Sequence, residues 1–420
     1  MIQNTFKPAR CQRRSPHRQK DSMQQPHHVI VAGAGPVGLT AALIIARAGL
    51  RVTLLEKRDR LNEASKASTF HAPTLAVLDH LGVLSAMLEQ GQDVTHIQYR
   101  STEQGILGEI ALAELKNDTD YPYRLHLEQS RITPLLLAQL REHPHADVRF
   151  GTAFLDAASD AGGVTVRVQG PEGVQTLRAD YLLGTDGARS QVRESMGLPF
   201  DPTPYPGCVL RVLADESLER ILPGLRPISY LVNGDASASF LRMPDCWRII
   251  LRVPPDVDEA RAQSRAWILE RLQQLVPGLK ELPNIVGQDV YSASKFVAGT
   301  YRAGRIYLAG DAAHLSNTRG GMNMNCGLHD AYFMATALVE GLRKDDQAVV
   351  DAAADRRHQV AADSLLPRTD AMVTGQATWL DNVKGLLGDP VQRLAFLRRT
   401  AMLDMAPELA RRIDPVSATA

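Results

Sequence analysis

Six residues, Gly33-Ala34-Gly35-Pro36-Val37-Gly38, constrain this chain more than any others. They follow a β-branched run, HVIVA at 28–32, and lead into a helical stretch over 39–48. Gly49 reads as a C-cap, and RVTLLE at 51–56 as a second strand. Strand, glycine turn, helix and strand in this order form a βαβ unit. Gly33 permits the tight turn, Gly35 lets the backbone approach a pyrophosphate, and Gly38 lets the helix pack closely on the strand. The helix start, with Pro36 and Val37, offers N–H donors and a positive dipole end to phosphates. Glu56 follows Gly38 by eighteen residues and can accept hydrogen bonds from both ribose hydroxyls. Its charge would repel a 2′-phosphate, so the site favours FAD or NAD over NADP. The motif alone leaves FAD and NAD open.

At 420 residues the chain exceeds one simple core, so two domains or one large insertion are expected. The formal net charge is zero, which gives no field for nucleic acid or an anionic membrane. Residues 1–26 are rich in Lys and Arg with no apolar periodicity and read as a disordered basic extension. No apolar run approaches the ~20 residues that span a bilayer. The four cysteines, Cys11, Cys208, Cys246 and Cys326, are scattered without a CxxC and fit a reducing cytoplasm.

Leu75, Leu78, Leu81 and Leu84 recur at helical spacing and predict a helix over 73–90. Ser130–Arg141 predicts another, with Pro134 in its first turn. VTVRVQ (164–169) and VQTLRADYLL (174–183) flank a turn and predict a hairpin. Alternating segments over 205–253 predict an antiparallel sheet, followed by a helix over 258–275. RIYLAG (305–310) returns to a buried strand, and the chain after 328 reads as helical with breaks near 375 and 389.

Two further motifs sit at strand ends. GTDGARSQVR at 184–193 places Asp186 after YLLG, and GRIYLAGDAAH at 304–314 places Asp311 after a buried strand. Ligands of open α/β sheets bind at such ends. Then comes RGGMNMNCGLHDA at 319–331, a permissive backbone entering a helix.

With these motifs in this order, the chain resembles the single-component FAD-dependent aromatic hydroxylases typified by para-hydroxybenzoate hydroxylase. The resemblance spans residues 28–335. It implies an α/β fold: a glutathione-reductase-like FAD-binding Rossmann domain, an inserted antiparallel β-sheet substrate domain and C-terminal helices. The expected boundaries are 27–95, 125–200 and 292–335 for the FAD domain, 96–124 and 201–291 for the substrate domain, and 336–420 for the helical region. It further implies FAD as cofactor, NAD(P)H as co-substrate, O2, and hydroxylation of a small aromatic or heteroaromatic compound through a flavin C4a-hydroperoxide. Gly33, Gly35, Pro36, Val37, Gly38, Glu56 and Lys57 would hold the ADP half. Ser68 and Gln129 would approach the flavin, with Arg131 nearby. Asp186 belongs to the segment linked to pyrophosphate and NAD(P)H, and Asp311 would take the ribityl chain. Gly321, Met324 and Asn325 would place helix N–H groups at flavin N1–C2=O.

No side chain must act as nucleophile, because the chemistry belongs to the cofactor. The candidates for the substrate pocket are His71, Arg211, Tyr230, Arg242, Thr318 and Arg319, the last two where relatives carry a more apolar approach. His314 reads as structural. His143, His145 and Asp147 lack further ligands, and no metal is expected. A larger polycyclic or quinone-like substrate and a redox-inactive FAD-binding scaffold are the alternative readings. The expected assembly is a monomer or homodimer without stable membrane insertion.

Overall fold

The computed structural model describes residues 27–64, 67–234, 236–374 and 379–414, and the basic extension lies outside them. A six-stranded sheet runs in the order Arg302–Ala303, Ile306–Leu308, Tyr181–Gly184, His28–Ala32, Arg51–Leu55, Ala146–Arg149. All its pairings are parallel except the Arg302–Ala303 edge. Its central strands are buried throughout, and apolar but for His28, because both faces are covered. The helices Pro36–Arg47 and Met322–Lys344 pack against each other over it, joined to one main core.

The second large sheet has seven strands: Ile285–Tyr291, Cys208–Ala214, Trp247–Val253, Ala236–Arg242, Ile228–Asn233, His96–Ser101, Gly105–Ala111. One face carries Leu210, Val212, Phe240, Ile249 and Leu251, and packs in a separate core with Trp267, Ile268 and Leu272 of the helix Arg265–Leu275. Strand alternation turns the other face toward the first domain, where Ile97, Tyr99 and Ile228 join the main core.

Several expected boundaries move. Gly82, at φ +70°, splits the 73–90 stretch into Ala72–His80 and Leu84–Gln90. The 174–183 stretch is two strands, Gly173–Ala179 in the hairpin and Tyr181–Gly184 in the main sheet, because Asp180 leaves the hairpin to accept from the His28 amide at 2.7 Å. Ser264 starts a new helix inside 258–275, its hydroxyl accepting from the Trp267 amide at 3.3 Å. Pro134 lies in the second turn of Gln129–Arg141. Among the described residues no helix is long and apolar enough to cross a membrane.

Candidate active site

The glycine turn divides its glycines by what surrounds them. Gly33 has φ +105°, and a Cβ there would lie 2.6 Å from the Thr185 carbonyl oxygen. A Cβ on Gly38 would lie 1.9 Å from the Gly33 carbonyl oxygen. Both are therefore forced by packing. Gly35 is different: a Cβ there would meet nothing within 4 Å, so the turn keeps an open cradle at the start of the helix Pro36–Arg47. Glu56 closes the turn from the next strand, accepting from the Ala34 amide at 3.1 Å and the Arg58 amide at 3.0 Å. Lys57 beside it is exposed. A cleft of about 330 Å³ lies at this end, lined by Asp59, Arg60, Leu61, Ser130, Leu137 and Phe150 among others. A larger one, about 520 Å³ and lined in part by Ser159, Ala303, Gln347 and the first residues of the third motif, Gly304–Ile306, sits at the opposite sheet edge, away from the glycine turn and Asp311.

The three motifs lock together. Val37 wedges between the third motif and its helix: a Cβ on Gly310 or Gly327 would come within 2.9 or 3.0 Å of its Cγ2. Arg193, fully buried, donates to the carbonyls of Ala312 and Ala188 at 2.9 Å each and lies 4.3 Å from the Phe200 ring centroid. The Asp186 carboxylate accepts from Ser190 Oγ at 2.5 Å and from the amides of Gln191 and Val192, so it caps a short helix. Burial raises its pKa against those bonds. Asp311, in contrast, is exposed at the strand end and accepts from Asn323 Nδ2 at 2.8 Å.

The RGGMNMN stretch is a 3-10 turn, Arg319–Gly321, entering the helix Met322–Lys344. That helix begins two residues before the expected Met324, because Gly320 and Gly321 complete the reversal at φ +76° and +64°. Asn325 is buried and its side chain is spent on protein: it accepts from the His71 amide at 2.9 Å and donates to the carbonyls of Thr69 and Gly321. Only main-chain groups of the first turn remain for a ligand. Met324 packs against the main core. Thr318 is exposed, and Arg319 turns its guanidinium to the Met372 carbonyl.

Beneath the turn lies a buried node that the sequence did not reveal. Asp330 accepts from Arg357 Nε at 2.7 Å and from the Gly310 amide at 3.1 Å, with His314 Nε2 at 2.9 Å. Burial alone would raise the Asp330 pKa, but Arg357 and His314 hold it well below the usual carboxylate range. His314 is pulled down by burial and driven well above its ordinary value by Cys326 and Asp330. Its Nδ1 faces Asn323 Oδ1 at 3.2 Å, so the node connects through Asn323 to Asp311. His314, Cys326 and Asp330 place their ligand atoms within 4.8 Å of one another, yet Arg357 donates to both Asp330 and Cys326 and fills the cation's place.

The second sheet faces this turn with one cross-strand row. Register aligns Tyr99, Tyr230, Ser239, Ile250, Arg211 and Asp289. Tyr99 and Tyr230 stack with centroids 5.8 Å apart. Arg211 pairs with Asp289 at 2.6 Å. In the neighbouring row Arg248 donates to Ser68 Oγ at 2.7 Å. Gln129 opens the helix Gln129–Arg141, its amide on the Ala67 carbonyl at 3.0 Å. The Arg242 guanidinium lies over Trp247, centroid distance 5.8 Å, and its carbonyl sits 2.9 Å from His126 Nδ1. His71 Nε2 is 2.8 Å from the Gly320 carbonyl oxygen. Thus His71 and Tyr230 lie near the junction, whereas Arg211 and Arg242 are engaged by Asp289 and Trp247. Tyr99, Arg124 and His126 went unnoticed in the sequence, although the alternation in RLH places Arg124 and His126 on one face of their strand.

Residues 27–366 match the family described as FAD binding domain. The chain belongs to this FAD-binding family. It is 28% identical to the para-nitrophenol 4-monooxygenase of Pseudomonas sp. (strain WBC-3), over 87% of this chain and 89% of that one. It is 30% identical to the aklavinone 12-hydroxylase RdmE of Streptomyces purpurascens, over 93% of this chain and 77% of the relative. The crystal structure of p-nitrophenol 4-monooxygenase PnpA from Pseudomonas putida DLL-E4 superposes with a TM-score of 0.76 at 30% identity, covering 91% and 94% of the two chains.

FAD is therefore the cofactor, and the protein is a flavin monooxygenase of the aromatic hydroxylase type, for which NAD(P)H is the usual donor. The turn fits the group. The open cradle at Gly35 faces a helix start, Asp311 is exposed at a strand end, and a pair of left-handed glycines leads into a second helix start.

Proposed function

We propose that this protein hydroxylates a small single-ring aromatic or heteroaromatic compound with NAD(P)H and O2. One observation carries the size of the ring. The His71 imidazole bonds the Gly320 carbonyl at 2.8 Å, and the His126 imidazole bonds the Arg242 carbonyl at 2.9 Å, so single side chains reach from this space to the glycine turn and to the end of a sheet strand. That suits one ring better than a polycyclic or quinone-like substrate.

In this reading Gly33, Gly35, Pro36, Val37 and Gly38 cradle the pyrophosphate with main-chain N–H groups, and Glu56 and Lys57 flank the adenosine ribose. Asp311 takes the ribityl hydroxyls, held in place by Asn323. Asp186 shapes the adjoining loop by capping it. Bound FAD supplies the redox chemistry between NAD(P)H and O2. The first-turn N–H groups after Gly321, at Met324 and Asn325, stabilise negative charge at the ring edge. Ser68, fixed by Arg248, and Gln129, fixed through its amide on the Ala67 carbonyl, hold the opposite wall. Buried Tyr99, stacked on half-buried Tyr230, and the core exclude water. Thr318 and Arg319 border the entrance.

We place the protein in the cytoplasm as a monomer or homodimer, in keeping with its free Cys208, Cys246 and Cys326. Purified protein should carry FAD and oxidise NAD(P)H faster when a phenol or hydroxypyridine is present. A colourless protein that takes up no FAD overturns the reading, and an anthraquinone in the same panel tests the larger-substrate alternative.

A further inference from the structure

Arg124 lies on the strand Arg124–His126 and is only 4% exposed. Among the described residues no carboxylate pairs with it and no acceptor takes any of its N–H groups, and its Nε is wholly buried without a partner. The other deeply buried arginines are occupied: Arg193 by two carbonyls, Arg357 by Asp330, Arg248 by Ser68. A buried charge with no partner is costly, and proteins keep one where a ligand completes it.

Its surroundings suit a ring. His126 shares its strand face, and Tyr99 and His71 feel its charge. His71 and His126 cannot pair with it as anions, and burial holds both imidazoles neutral, His126 down to about 4 and His71 well below its ordinary value. His71 Nε2 faces the Gly320 carbonyl oxygen, so the proton sits there and Nδ1 is a bare acceptor. His126 Nδ1 faces the Arg242 carbonyl oxygen, so Nε2 is likewise bare. Both bare nitrogens are buried and unpartnered. One cation and two neutral acceptors thus lie between the sheet and the glycine turn, within electrostatic reach of Tyr99.

We infer that Arg124 determines specificity by holding an anionic oxygen on the substrate ring, a carboxylate or a phenolate, while His71 Nδ1 and His126 Nε2 can accept from a ring hydroxyl. This rests on the aromatic-hydroxylase reading, but its test is separate. FAD-loaded full-length protein is titrated with 4-hydroxybenzoate, with 4-nitrophenolate and with neutral 4-hydroxybenzamide, and Kd is read from the flavin absorption change and from heat. The wild type should bind one of the two anions roughly tenfold or more tighter than the amide, as a charge-assisted hydrogen bond provides. Which anion wins distinguishes carboxylate from phenolate. Arg124→Gln should abolish the preference, and Arg124→Lys should keep part of it. Arg124→Met should also raise the melting temperature of the ligand-free protein, because it removes an unpaired buried charge. Equal preference in wild type and Arg124→Gln, no preference in the wild type, or a lowered melting temperature for Arg124→Met would overturn the assignment. Hydroxylation itself stands or falls on oxygen in the product, whatever these ratios show.

Discussion

Arg357 donates from Nε to Asp330 Oδ1 at 2.7 Å, and neither side chain reaches solvent. The pair ties the helix Gln347–Val360 to the helix Met322–Lys344 directly beneath the glycine turn. Asp330→Asn leaves the Arg357 guanidinium buried and uncompensated. The expected cost is about 3–5 kcal/mol. Thermal melting of the variant should shift down accordingly, and an unchanged midpoint would show that the pair adds nothing.

The three motif glycines separate stability from cofactor binding. Gly38→Ala forces a Cβ against the Gly33 carbonyl and should destabilise the fold itself. Gly35→Val has open space and an ordinary φ of −74°, so the apo-protein should melt near wild type while FAD retention falls. FAD content after gel filtration, set beside apo-protein melting, reads both. Loss of stability in Gly35→Val would mean that the cradle is a packing feature.

Gly321→Val places a β-branched residue at φ +64° with its Cβ 3.1 Å from Thr69 Cβ. The turn must then shift at the helix start. Weakened FAD binding and reduced turnover are expected. Wild-type behaviour would remove this loop from the flavin site.

His126 fixes the acid limb of stability. Its folded pKa, about 4, lies below the unfolded value of 6.5, so the unfolded chain binds the proton first. Stability from this residue is whole above pH 6.5 and is lost as pH falls from 6.5 toward 4. The difference corresponds to about 3 kcal/mol. His126→Gln should flatten the fall of melting temperature over that range. The contribution of His329, whose folded value burial lowers to about 3, would remain. An equally steep fall in His126→Gln would contradict the burial of a neutral imidazole.

Much of this was legible from local chemistry. A positive φ demands glycine, so the turns at Gly33 and Gly320–Gly321 announce themselves, and strand alternation exposes the two-sheet plan. Register and pairing were not legible. Leucine spacing runs straight through Gly82 because periodicity does not see a left-handed residue. The Asp330–Arg357 pair joins two helices whose packing no local pattern encodes. Arg124 looks like any strand arginine until the fold buries it with no carboxylate partner among the described residues. Asn325 shows the limit differently: its place in the motif was clear, but its side chain serves the protein.

The most direct measurement is turnover under 18O2 with NAD(P)H and a panel of phenols and hydroxypyridines, followed by product mass. A product that has gained one oxygen atom, carrying the label from O2, is the predicted result. NAD(P)H oxidation by the FAD-loaded protein that yields only peroxide across the panel, with no labelled ring product, would contradict the small-ring hydroxylase account.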